Sequence, residues 1–126
     1  MSSALSSLVL ATAVLGSAAV RSPAHPKSHK PMRMTATAYC DKGTTDGGVH
    51  TRRGIVAADP RVLPIGSTVR VMGLGGNAQT FLVADTGSAV KGRRLDIFMP
   101  SCRAAKRFGR KPVIVRPVKI GNGDLK

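Results

Sequence analysis

The chain has 126 residues and carries 20 Lys and Arg against 6 acidic residues, so its formal net charge is +14 at pH 7. This charge favours a polyanionic partner, but aromatic residues make up only 3% of the chain, which argues against a nucleic-acid binder that stacks bases on aromatic side chains. No Glu is present, so any carboxylate chemistry must use one of six aspartates: Asp41, Asp46, Asp59, Asp85, Asp96 and Asp124.

The N-terminal part of the chain has the composition of an export segment. Its first 20 residues lack charged side chains, and Leu5 to Val20 form an apolar, small-residue stretch typical of a signal peptide, although the usual basic segment is missing. An uncleaved N-terminal anchor is the alternative. Residues 21–31 are rich in Pro, Ser and basic side chains and predict a solvated spacer. We therefore expect an exported protein of the periplasm or cell envelope, with one folded domain over residues 32–120 and a tail over 121–126.

The rest of the chain predicts short strands. Residues 32–39 alternate apolar with polar side chains, and a Gly-rich loop over 41–53 precedes a buried run over 54–58. Further strands are predicted over 68–72, 79–84 and 94–99 and around 113–120, and residues 101–108 predict a two-turn helix with Ser101 as N-cap. Six short strands and one short helix favour an all-β fold, a small closed β-barrel, because closure removes unpaired strand edges.

Cysteine and histidine have limited roles in this prediction. Cys40 and Cys102 are the only cysteines, and in an exported domain such a pair predicts a disulfide; two unpaired buried thiols are the alternative. His25, His29 and His50 have no cysteine or carboxylate at metal-ligand spacing. We therefore expect neither a metal nor another cofactor.

Three aspartates lie at the end or in the middle of apolar strands. Asp59 follows residues 54–58, Asp85 follows residues 79–84, and Asp96 stands between Leu95 and Ile97. A carboxylate in such a position costs free energy unless it is paired or used. Strand alternation puts Asp96 on the face opposite Leu95 and Ile97, so it faces an external groove if those two side chains fill the barrel.

Four segments of the sequence resemble a known family. "TATAYCDKGTTDGG", "GIVAADPRVLPIGSTVRVMGLG", "FLVADTGSAVKGRRLDIFM" and "AKRFGRKPVIV" together resemble the 3D domain, named for its three aspartates. The specific signal is A-x-D-P, D-T-G and L-D-I-F in that order, within a resemblance that covers Met32 to about Val118. It implies a double-psi β-barrel similar to the catalytic barrel of membrane-bound lytic murein transglycosylase A.

The resemblance implies cleavage of peptidoglycan glycan strands by a lytic transglycosylase. By the motif match, Asp96 falls on the family's proposed acid, and Asp85 and Asp59 fall on its partner aspartates. Such an enzyme needs only one carboxyl group, because the muramic acid supplies its own nucleophile, the C6 hydroxyl. The cysteine pair is not general to the family, and no wall-binding module accompanies the barrel.

Further substrate contacts are candidates on chemical grounds. Thr86, Gly87 and Ser88 are candidates to bind sugar, Lys91 to bind a peptide carboxylate, and Tyr39 to stack on a sugar ring. Turn formation explains Thr86, Ser88 and Lys91 equally well, and Tyr39 can simply fill its strand's polar face.

Two observations keep other readings open. Arg94 shares a strand face with Asp96 and would lower the pKa of that carboxyl, whereas desolvation by bound glycan or a like-charged Asp85 or Asp59 would raise it. The aspartates can also be purely structural, paired with arginines and turns.

The competing function is a non-catalytic cell-wall glycan-binding barrel, against which the scarcity of aromatic residues counts. In either case the expected partners are peptidoglycan glycan strands and the anionic cell-wall surface, not nucleic acid.

Overall fold

The computed structural model describes residues 29–125, so the predicted leader, residues 21–28 of the spacer and Lys126 lie outside the described residues. It contains six strands and one helix. In chain order they are β1 (Met32–Tyr39), β2 (Ile55–Ala58), β3 (Thr68–Met72), β4 (Gln79–Asp85), β5 (Arg94–Phe98), α1 (Cys102–Phe108) and β6 (Lys111–Lys119). The predicted all-β class, strand number and single helix are confirmed.

The six strands close into a barrel in the order β1-β5-β2-β4-β3-β6. Two neighbouring pairs, β1 with β5 and β2 with β4, run parallel, and the other four pairs run antiparallel. Strand β2 has only four residues, yet it lies between β4 and β5 and bonds to both. The position of β2 therefore determines how the aspartates of β4 and β5 are placed relative to each other.

The barrel interior is filled by small and branched side chains. Alternate residues point inward, as the period of two predicts, and they include Val69 and Val71 of β3, Leu95 of β5 and Val115 of β6, all fully buried. A second, smaller apolar cluster of Ile55, Ala84 and Phe98 lies on the outer side of the strands. Outward-facing positions on β5 and β2 are therefore partly buried rather than fully exposed to solvent.

The helix is attached by a cap and a cross-link. The Ser101 hydroxyl accepts a hydrogen bond from the Ala104 amide at 3.2 Å, as expected of an N-cap. Cys40 and Cys102 form the predicted disulfide, with their Cα atoms 5.1 Å apart. The cross-link joins the end of β1 to the start of α1. Within residues 29–125 this seven-residue helix is the only one, and no helix is long and apolar enough to cross a membrane.

The residues after the last strand lie against the barrel. The Gly121 amide donates to the Ser67 hydroxyl at 2.9 Å, and the Gly123 amide donates to the Ile65 carbonyl at 2.9 Å. Leu125 packs on the outer apolar cluster. The segment over 121–125, predicted as a tail, is therefore in contact with the folded domain.

Candidate active site

Two aspartates flank one small residue on the outer surface of the barrel. Ala57 of β2 pairs with Asp85 of β4 on one side and with Asp96 of β5 on the other. Because neighbouring strands lie about 4.8 Å apart, the two aspartate Cα atoms are separated by about 10 Å across Ala57. All three residues line one open groove of about 330 Å³. Strand order alone thus brings the two acids into one groove.

Asp96 lies half-buried in this groove. The Thr37 hydroxyl, directly across in β1, donates a hydrogen bond to Asp96 Oδ1 at 2.9 Å. Burial raises the pKa of the Asp96 carboxyl; the Thr37 hydrogen bond and the charge of Arg94 act in the opposite direction, and the charges of Asp41 and Asp85 add to the rise. The balance favours the protonated acid more than in an ordinary aspartate.

Arg94 lowers the pKa of Asp96 through its charge, although its guanidinium is hydrogen-bonded to other groups. Its guanidinium donates through Nε to the Thr37 hydroxyl at 3.3 Å and through a terminal nitrogen to the Ala89 carbonyl at 3.1 Å. The positive charge is thereby held on Thr37 and on the groove wall, and no salt bridge joins Arg94 to Asp96 within residues 29–125.

Asp85 has a different environment from Asp96. Its Oδ1 accepts hydrogen bonds from the amides of Thr86, at 2.9 Å, and Asp46, at 3.1 Å, while the Tyr39 hydroxyl donates to Oδ2 at 3.4 Å. Burial, and then the neighbouring Asp85, raise the pKa of the Tyr39 phenol. Tyr39 therefore stays protonated and acts as a donor, and its ring packs on that of Phe98 at an interplanar angle of 67° with the ring centroids 5.5 Å apart.

The loop between β1 and β2 closes the Asp85 side of the groove. The Gly47 amide donates to the Ala84 carbonyl at 2.9 Å, and a Cβ on Gly47 would lie 2.7 Å from that same oxygen. Only glycine lets the loop approach β4 this closely. The neighbouring Asp46 therefore reaches Asp85 with its amide, and its carboxylate accepts a hydrogen bond from the Thr86 hydroxyl.

Asp59 is buried and does not line the groove. Its carboxylate accepts hydrogen bonds from the Arg61 amide at 3.0 Å, from Arg61 Nε at 3.1 Å and Nη2 at 2.9 Å, and from the Gly92 amide at 2.8 Å. The Arg61 side chain, followed by the amides of Gly92 and Arg61, holds the pKa of Asp59 far below its usual range. Such a saturated carboxylate fastens the segment over 86–92 to the end of β2.

The remaining candidates divide between the groove and its outside. Thr86, Gly87 and Ser88 line the groove together with Tyr39, whereas Lys91 is exposed and lies outside the lining. Within residues 29–125, no group of three His, Cys, Asp or Glu side chains is placed to hold a metal ion.

Among the residues that sequence reasoning missed are Ala57, which lines the groove, and Thr37 and Asp46, which hold its two aspartates by hydrogen bonds. Each acts through a partner on another element, by a hydrogen bond or by register, and has no distinctive motif of its own. For Thr37 one signal was present, since it stands on the polar side of the alternating strand, facing the same way as Tyr39. Its pairing with Asp96 requires the register between β1 and β5.

The sequence comparison identifies the family. The profile of the 3D domain matches residues 54–118, which include all three aspartates of the motifs. The chain belongs to the 3D domain family. In Bacillus subtilis (strain 168), YabE, whose name associates it with cell wall shaping, is 37% identical over 106 residues, 77% of this chain and 25% of that protein. The cell wall-binding protein YocH of the same strain is 36% identical over 99 residues, which cover 71% of this chain and 33% of YocH.

This chain therefore spans a quarter to a third of the length of these two relatives. The matched region is shared, and the larger part of each relative has no counterpart in the alignment.

Solved structures share the barrel at low sequence identity. A variant of the Clavibacter michiganensis expansin in complex with cellohexaose superposes with a TM-score of 0.56 at 19% identity, over 71% of this chain and 51% of that one. The E. coli lytic transglycosylase MltA superposes with a TM-score of 0.53 at 20% identity, over 64% and 28%. A structure of MltA with bound chitohexaose gives 0.51 at 16%, over 64% and 29%. At these identities the likeness establishes the fold, and it confirms the double-psi barrel expected from the motifs.

Proposed function

We propose that this protein cleaves peptidoglycan glycan strands as a lytic transglycosylase, with Asp96 as its single acid. The observation that carries the proposal is the state of Asp96 in the groove: it is half-buried, has a raised pKa and is held through one oxygen by Thr37. A general acid must still hold its proton when substrate binds, and burial favours that form. The second oxygen, Oδ2, is then available to carry the proton.

The reaction needs no water and no second carboxyl group. Asp96 donates its proton to the glycosidic oxygen as the bond from that oxygen to C1 of the muramic acid breaks. The C6 hydroxyl of the same sugar then bonds to C1 and returns its proton to the Asp96 carboxylate. The enzyme is regenerated, and the products are a free hydroxyl on the leaving sugar and a 1,6-anhydro end.

Asp85 and Tyr39 form the other side of the proposed site. A carboxylate across Ala57 opposes the ionisation of Asp96 and stabilises positive charge that develops at C1 during bond breaking. Thr86, Gly87 and Ser88 line the same groove, which supports a role in sugar binding. In this scheme Asp59 is a positioning residue, because its hydrogen bond with the Gly92 amide holds the segment over 86–92 that carries these lining residues. The proposed role of Lys91 is to bind a peptide carboxylate beside the groove.

A second candidate is a barrel that binds cell-wall glycan without cleaving it. The observation that favours it is the relative YocH, which is named as a cell wall-binding protein. Ligands of structural neighbours, cellohexaose on the expansin and chitohexaose on MltA, support a glycan chain as the occupant of the groove under either proposal. Both candidates imply an exported protein that works in the cell envelope, next to an anionic wall.

Purified sacculi distinguish the two candidates. Wild type, Asp96→Asn and the control Asp124→Asn are incubated with sacculi, and the released muropeptides are analysed by mass spectrometry. The control makes the same change in net charge outside the groove. We expect 1,6-anhydro ends from wild type and control, and release at least about 100-fold slower from Asp96→Asn, because a general acid contributes at least that factor.

Binding is measured on the same samples by sedimentation with the sacculi. Sedimentation of all three proteins without any release supports the binding barrel. Release by Asp96→Asn at the wild-type rate contradicts the assignment of the acid.

A further inference from the structure

The side of the barrel opposite the groove has an unusual surface. In the circular strand order, β3 lies three positions from β5 and β6 lies three positions from β2, so the outer sides of β3 and β6 face away from Asp96 and Ala57. We define the β3–β6 face by six outward side chains, five from these two strands and one, Arg33, from the adjoining β1. Its members are Arg33, Arg70, Met72, Ile114, Arg116 and Val118.

This face carries three exposed arginines, Arg33, Arg70 and Arg116. Arg70 and Arg116 are direct cross-strand partners, and both are exposed. Like charges directly opposite each other destabilise a sheet. No carboxylate is present among the outward side chains of β3 and β6, and within residues 29–125 no salt bridge involves Arg70 or Arg116. The repulsion between Arg70 and Arg116 is therefore not offset by a carboxylate of the described residues.

Apolar side chains are exposed on the same strands. Within residues 29–125 the exposed large hydrophobic residues are Met72 at 36%, Val118 at 39% and Ile120 at 42%, and they lie on β3, on β6 and directly after β6. A depression of about 330 Å³ adjoins Met72 and is lined by Arg33, Met34, Met72, Gly73, Pro112, Val113 and Ile114. Single exposed apolar residues are ordinary, but two of these three lie on the β3–β6 face and the third directly follows β6, which marks an interaction surface.

We propose that the β3–β6 face docks on an anionic phospholipid surface. Arginines and exposed apolar side chains on one face suit the lipid interface, where guanidinium groups meet headgroup phosphates and apolar groups enter the boundary with the acyl chains. A soluble phosphate polymer would use the arginines but would leave Met72, Val118 and the apolar depression uncovered. Docking through this face turns the groove away from the membrane and towards the wall. The proposal does not depend on what the groove does.

Vesicle sedimentation tests this docking with three double variants of the full chain. Arg70→Gln with Arg116→Gln removes the paired charges, and Met72→Ser with Val118→Ser removes exposed apolar area. The control, Arg52→Gln with Arg53→Gln, removes the same charge from the exposed loop that precedes β2. Vesicles contain phosphatidylcholine alone or an equal mixture with phosphatidylglycerol, and circular dichroism checks that each variant is folded.

We expect wild type to sediment with the phosphatidylglycerol vesicles and not with pure phosphatidylcholine. Loss of two surface arginines lowers the partition coefficient about 30-fold, while the control falls by less than about threefold. The apolar variant also binds more weakly and keeps the salt dependence of wild type. The proposal is overturned if wild type ignores the anionic vesicles, or if the control loses as much binding as the face variant. It is also overturned if the apolar variant binds the anionic vesicles like wild type. In that case Arg70 and Arg116 act as a site for a soluble phosphate polymer, and binding of polyphosphate should depend on them.

Discussion

Removal of the disulfide tests how much of the stability of this small barrel comes from a covalent cross-link. Cys40 and Cys102 are 62 positions apart in the chain. For a closed loop of that size the chain-entropy relation gives about 4 kcal/mol of stabilisation. A folded part of about 95 residues has a free energy of unfolding of about 5–14 kcal/mol in all. Replacing both cysteines with alanine should therefore remove a large share of it and lower the melting temperature by about 20 °C.

The groove should survive this change in the molecules that remain folded. The end of β1 is also held by a hydrogen bond from the Met99 amide to the Tyr39 carbonyl at 2.8 Å and by the contact of Tyr39 with Phe98. These contacts do not involve sulfur. If the cross-link acts mainly on the unfolded chain, the double variant at 10 °C should bind or cleave sacculi at about the wild-type rate.

Thermal unfolding followed by circular dichroism measures the loss, with wild type in reductant as a matched sample of unchanged sequence. Alkylation and mass spectrometry report whether the thiols of that sample are free. A melting temperature of the double variant within about 5 °C of wild type refutes the entropic reasoning. A normal shift accompanied by complete loss of action on sacculi at 10 °C shows instead that the cross-link positions the groove.

Three further substitutions test the account of the site. Asp96→Asn should stabilise the protein at pH 7 by less than about 1 kcal/mol, because it removes a half-buried carboxylate. Since the folded pKa of Asp96 is raised, wild type should gain stability as the pH falls through that pKa. The difference in melting temperature between wild type and the variant should therefore shrink at acidic pH. Asp59→Ala should speed amide exchange at Gly92 about tenfold, measured by NMR, because the Gly92 amide loses its acceptor; unchanged exchange would contradict the fastening role. Because the folded pKa of Asp59 is lowered, wild type should keep this protection until strongly acidic pH. Gly47→Ala should cost about 1–3 kcal/mol in a denaturant titration, because the new Cβ would lie 2.7 Å from the Ala84 carbonyl oxygen, and an unchanged midpoint would show that the loop can move away.

The sequence predicted the positions of the strands well, but it did not predict which strands pair with each other. The alternation of residues 32–39 and 68–72 is a local property, and both strands have the bounds that were expected. Pairing is not local: nothing in the sequence near Asp96 indicates that Thr37, 59 positions earlier, donates a hydrogen bond to it. Recognition of the family supplied the fold, and the register within that fold supplied the site.

The three aspartates illustrate the same limit. All three stand at strand positions where a carboxylate needs a partner, and the sequence treats them alike. In the structure Asp59 is saturated by Arg61 and Gly92, whereas Asp85 and Asp96 open onto the groove. The difference arises from Arg61, two residues after Asp59, whose side chain turns back onto it. The contacts of Arg94 with Thr37 and Ala89 were equally hidden, so the direction of the Asp96 pKa needed coordinates.

The insertion of β2 between β4 and β5 makes the groove dependent on the folding of the whole barrel. Asp85 and Asp96 acquire their common neighbour, Ala57, only when that four-residue strand has entered the sheet on both edges. Under the proposed export, a chain that crosses the membrane in extended form therefore lacks the assembled groove. Under the proposed function, action on sacculi should appear during refolding no earlier than the pairing of β2 with both of its neighbours.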